Sequence, residues 1–157
     1  MYRNFIFEIA QFIPSCQKNY VIILLSLSFL LRFWYLHELH KSPFSNPATS
    51  GLDVSIYDTQ AQAISKGMSE DGVFYAMPLY PYLLGLLYAL FGHSLYIVRL
   101  FQIIIGTLNI FLIYIIGKKI FDKNRALLVL VLSCLYGVFI FYEGLLVPTT
   151  LLLFLDL

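Results

Sequence analysis

Long apolar runs constrain this chain more than any other feature. Residues 20–36, 95–117 and 126–142 approach or exceed the roughly 20 residues that a helix needs to cross a bilayer. A fourth such run opens after Pro148. Inside hydrocarbon the backbone must satisfy its own hydrogen bonds, so runs of this kind fold as helices. Composition agrees, with 60% hydrophobic and only 12% charged residues where a soluble domain carries about 25% charge. The expected fold is all-α, a polytopic transmembrane helical bundle. The net charge of +1, with no basic patch interleaved with aromatics, offers nothing for nucleic acid. Cys16 and Cys134 make no disulfide framework, and Cys134 reads as a small buried core residue. The first apolar run starts near Tyr20, is too long for a cleaved signal peptide and is followed by no small-x-small site.

Only one long stretch is polar, and it lies between the first two spans. Before it, residues 1–19 read either as a short amphipathic helix ended by Pro14 or as a frayed tail. Arg32 stands near the end of the first span, beside an interfacial belt of Phe33, Trp34 and Tyr35. It reads as a snorkelling cation or, more pointedly, as one that meets a lipid phosphate. Within residues 37–94, a helix is expected between Asp53 as N-cap and Lys66, with Gly67 just past its end. Residues 79–92 are apolar but too short to span, which suits a juxtamembrane helix.

Charge suggests the topology. Residues 118–125 hold four cations and one acid and are expected in the cytoplasm, with the N-terminus. The net acidic segment 37–94 and Glu143 then lie outside, provided that 79–92 does not cross. Asp53, Asp58 and Glu143 would face one compartment, beneath a short apolar helix. Carboxylates at a membrane surface suit proton abstraction from an acceptor that attacks a lipid-linked donor, whose phosphate nearby cations would neutralise. For Asp53 the structural alternative is a helix cap. Tyr57, at i+4, shares its face and also fits a core aromatic. Asp58 is about 140° round the helix from Asp53 and also fits a solvated acid, as does Glu143 at a helix end. His37 and His40 form a weak metal pair that fits a polar belt better, and His93 follows a glycine in a turn with no role assigned. No Gly-rich phosphate loop or nucleophile elbow is present.

Asp53-x-x-x-Tyr57-Asp58-x-x-Ala61, Gly67 and the run Met77-Pro78-Leu79-Tyr80-Pro81 through Gly92 form an ordered set. Val98-Arg99-Leu100-Phe101-Gln102, Gly117-Lys118-Lys119-Ile120-Phe121 and Tyr142-Glu143-Gly144-Leu145-Leu146-Val147-Pro148 continue it. Over residues 20–157 the set resembles the polytopic GT-C glycosyltransferases, relatives of protein O-mannosyltransferase and of the lipid A aminoarabinose transferase. The resemblance implies an inverting transfer of sugar from a polyprenyl-phosphate donor. It matches Asp53 to the family's catalytic base, while Asp58, Tyr57, Arg32, Tyr80 and Glu143 stand beside it as candidate substrate-binding residues. It also implies juxtamembrane helices in the first outer loop and a bacterial plasma membrane as location. No cofactor is certain; some members carry a divalent metal and many need none. Two positions depart from the pattern: Pro148 is followed by Thr149 where relatives often carry an acid, and Ala76-Met77-Pro78 stands where some have acid-Lys-Pro.

The chain stops within an opening apolar helix, so it is expected to be the N-terminal part of one larger transmembrane domain or a truncated product. Family chains are about three times as long, and this piece alone would lack much of the donor and acceptor cavity. The rival readings are a non-catalytic subunit or lipid-linked-sugar transporter fragment, and an inactive product. A transporter would line its spans with polar groups. Within the three spans only Arg32, Arg99, Gln102 and Asn109 stand out.

Overall fold

A computed structural model describes residues 15–46, 51–68 and 77–157. The amphipathic helix expected within residues 1–19 falls largely outside them. Among the described residues the regular structure is entirely helical. Helix α1 runs Ser15–Lys41 and a 3-10 turn follows at Pro43–Ser45. Then come α2 (Leu52–Ser65), α3 (Leu79–Phe91), α4 (Leu95–Ile120), α5 (Lys123–Leu135), α6 (Gly137–Gly144) and α7 (Thr149–Asp156).

Helices α1 and α4 are long and apolar enough to cross a membrane. α1 continues well past the aromatic belt at 33–35, because the chain meets no glycine or proline before Pro43. α3, at 13 residues, is about 20 Å long and short of the roughly 30 Å hydrocarbon layer. Where a single span was expected at 126–142, the structure has two helices, α5 and α6, bent by 43°. Tyr136 takes extended backbone between them and Gly137 starts the second. Taken together they are long and apolar enough for one broken span or for a re-entrant loop.

The central element is α4, which touches α1, α3, α5, α6 and α7. At one end it packs with α1 and α5 around Val21, Ile110, Tyr114, Ala126, Leu130 and Cys134, so Cys134 is a buried core residue as expected. Toward its start a second core joins α2 and α3 to α4 through Tyr57, Ala61, Tyr80, Leu84, Tyr88 and Val98. α2 and α3 form a tight pair. A Cβ on Gly85 would come within 2.7 Å of Ile64 Cγ2, so the absent side chain permits the approach. Exposed apolar side chains such as Ile23, Leu27 and Leu30 on α1 and Leu128 and Leu132 on α5 fit the lipid-facing surface of a spanning bundle.

The helix starting near Asp53 forms as expected, but with a different cap. Gly51, at φ 132°, occupies the N-cap and Asp53 lies in the first turn. The carboxylate is favourable there through the helix dipole instead of through a capping bond. The far end closes as expected at Gly67 (φ 72°). There Met68 N–H bonds Ala63 O and Gly67 N–H bonds Ile64 O, the paired bonds of a Schellman ending.

Candidate functional site

The C-terminal end of α1, the 3-10 turn, α2 and the start of α4 enclose a cavity of about 580 Å³. Its walls are mostly apolar in surface but carry the polar side chains Arg99, His40, His93, Asp58, Thr59 and Ser45. Arg99 is the dominant charge. α4 begins at Leu95 after Ser94, so Arg99 projects from its second turn, where the positive end of the helix dipole adds to the guanidinium charge. The side chain is 1% exposed. Its Nη2 donates to Ser45 O at 2.7 Å, while its Nε has no partner. A buried guanidinium with a donor unused, beside a roomy cavity, can pair chemically with an anion.

Asp58 lies on the cavity wall and is buried rather than solvated. It accepts from Tyr88 Oη at 2.6 Å and from His93 Nε2 at 2.9 Å on one oxygen, and from Gln62 Nε2 at 2.9 Å on the other. Burial first, then the bond to Asp58, hold the Tyr88 phenol above its ordinary pKa, so it remains a donor. The Tyr88 and His93 rings meet edge to face, with centroids 4.7 Å apart. Asp58 therefore ties α2 to α3 and to the turn before α4.

Asp53 is exposed and has no hydrogen bond or ion pair among the described residues. On its helix face Tyr57 is buried, its phenol pushed up by desolvation and secondarily by the Asp53 charge. The Tyr57 ring packs edge to face on Tyr80 at 5.2 Å. Tyr80 is buried in turn, and burial raises its phenol pKa. Tyr80 Oη accepts from Gln102 Nε2 at 3.2 Å, and Gln102 also bonds Leu145 O and Val147 O in the loop before α7. Asp53 thus heads a line of contacts that runs through α2, α3 and α4 to the Pro148 loop.

The remaining two candidates meet each other. Arg32 and Glu143 are both buried, with Arg32 Nε 2.8 Å and 3.1 Å from the two carboxylate oxygens. Arg32 Nη1 also bonds Ser28 Oγ, Ser28 O and, at the α5–α6 break, Cys134 O. The pair seals against α4 at Gly106, where a Cβ would fall 2.1 Å from Glu143 Oε1. So Asp53, Asp58 and Glu143 occupy three separate settings: an exposed first turn, the cavity wall and the bundle interior. Arg99 and His93 on the cavity wall, and Gln102 in the network behind it, are positions that sequence reasoning left without a role. The polarity of Arg99 and Gln102 inside an apolar run was the available signal. For His93, only the turn at Gly92-His93-Ser94 hinted at a position beside a helix start.

Among the described residues no three His, Cys, Asp or Glu side chains come together as metal ligands. The donor set for a divalent ion is therefore not met there, and no step below uses one.

Fold and site together define an integral membrane protein with a cavity that carries Arg99, Asp58 and two imidazoles at one end of its spanning helices. The family model for dolichyl-phosphate-mannose-protein mannosyltransferase matches residues 76–155, just over half of the chain, and the chain belongs to that family. It is thus a membrane protein of a glycosyltransferase family. The matched region takes in α3, α4 and the Arg99 and Glu143 positions; Asp53 and Asp58 precede it. No curated protein and no solved structure matches the chain.

Proposed function

We propose that this chain carries the donor-binding part of a glycosyltransferase that moves a sugar from a polyprenyl-phosphate-linked donor to an acceptor at the outer membrane surface. The observation that carries this reading is the Arg99 cavity, which is large, sets charged and polar side chains into an apolar wall and adjoins spanning helices. A polyprenyl tail would lie in the bilayer beside the bundle while its phosphate entered the cavity against Arg99 and the α4 N-terminus. Neutralising the phosphate as the sugar–oxygen bond breaks stabilises the leaving group. Asp53 is the general base: it stands on the helix that lends Asp58 and Thr59 to the cavity and is open to an acceptor arriving from water. Asp58, already accepting from three donors, is poorly placed for that task.

Two measurements test this. A short prenyl phosphodiester should bind the purified chain in nanodiscs, and Arg99→Gln should weaken binding about tenfold or more. In membranes carrying the protein, Asp53→Asn should lower sugar transfer by about 10²- to 10⁴-fold with expression and phosphodiester binding intact. Transfer that survives in Asp53→Asn removes the base assignment. Binding that Arg99→Gln leaves unchanged removes the phosphate site.

A further inference from the structure

His93 is the cavity residue with unused chemistry. Its Nε2 lies 2.9 Å from Asp58 Oδ1, within hydrogen-bonding distance, and 3.2 Å from Gln62 Nε2, an amide donor that is already bonded to the other Asp58 oxygen. An ionised carboxylate only accepts, so Nε2 carries the proton. Nδ1 makes no hydrogen bond among the described residues, and the side chain is 47% exposed on the wall that holds Arg99. This is the arrangement in which a carboxylate fixes the tautomer and orientation of an imidazole and leaves the second nitrogen for a ligand.

We infer that His93, held by Asp58, is the second phosphate-binding group of the cavity and engages an anionic phosphodiester alongside Arg99 only when its ring is protonated. This rests on the donor reading above and adds to it a proton requirement. When His93 is neutral, Nδ1 presents a lone pair that a phosphate oxygen repels; when protonated, it presents an N–H and a positive charge. Asp58 from α2 and Tyr88 from α3 contact the imidazole, and Arg99 and Tyr96 from α4 and His40 from α1 line the same cavity. His40 is the one other imidazole on the cavity wall, so it is the rival source of any pH dependence.

The probe is a short prenyl methyl phosphodiester, whose single charge does not change between about pH 5 and 8, so the protein alone titrates. Its affinity for the chain in nanodiscs should fall about tenfold as pH rises through the range in which imidazole side chains lose their proton. Dimethyl phosphate, the head-group chemistry without the lipid, should show the same fall at weaker affinity. In His93→Gln the affinity should be low and flat with pH, while His40→Gln, a change on the same cavity wall, should keep the fall with pH whatever its effect on affinity. Asp58→Asn should weaken binding mainly at low pH, because an imidazolium without its carboxylate is disfavoured. His93 is half exposed but its ring packs on buried Tyr88, so the helix content and unfolding of His93→Gln are compared with wild type before binding is read. A wild-type profile without pH dependence, or a His93→Gln profile like that of wild type, overturns the role of His93 and leaves the donor site standing. Failure of wild type to bind either diester at any pH overturns both.

Discussion

Arg32 and Glu143 show how much a single buried pair determines here. Each ion loses several kcal/mol of hydration on leaving water, and only the partner and the surrounding hydrogen bonds offset that loss. Removing one leaves the other stranded. Glu143→Ala should therefore destabilise the protein by about 3–5 kcal/mol, read from denaturant unfolding in detergent micelles. The double replacement Arg32→Met with Glu143→Leu should recover most of that loss, because two apolar groups need no compensation. If the double variant is as unstable as the single, the pair has a role beyond charge compensation. Gly106→Ala is a sharper probe, since the new Cβ would meet Glu143 Oε1 at 2.1 Å. It should cost about 1–3 kcal/mol by overpacking. The sequence suggested a snorkelling or lipid-phosphate cation at Arg32 and a solvated acid or ligand at Glu143, whereas both are buried against each other. That they belong to each other was not legible, because 111 positions separate them.

At the scale of elements, the pairing of α2 with α3 builds the cavity wall. Ala61 is fully buried and its carbonyl oxygen would lie 3.2 Å from a Cβ on Gly85. Gly85→Val should therefore push the two helices apart. The expected result is loss of prenyl phosphodiester binding with the α1–α4–α5 packing retained, seen as faster proteolysis confined to residues 51–92. Uniform loss of structure would instead make the pair part of one cooperative unit with the spans. Helix limits were readable where local chemistry sets them. Gly67 in the left-handed region ends α2, and 13 apolar residues mark α3 as too short to span. The bend at Tyr136 was not readable. The run 126–142 is apolar throughout, and hydropathy carries no record of which carbonyls turn away from a helix axis.

For the whole molecule, the polar cap and the basic turn at 118–125 lie at opposite ends of α4. A single cysteine at position 66 and one at 122, in a chain with Cys16 and Cys134 replaced by serine, should react with a membrane-impermeant thiol reagent from opposite sides. Reaction from the same side would remove the arrangement on which an outer-surface donor site depends. Membrane insertion and helical class follow from the chain itself, because in hydrocarbon each backbone group must be bonded by near neighbours and the length of an apolar run counts them. The partners of the charged groups do not follow in that way. Asp58 with His93, Arg32 with Glu143, and the open cavity beside Arg99 arise only once helices distant in the chain pack side by side, since short-range forces act on whatever the packing brings within a few ångströms.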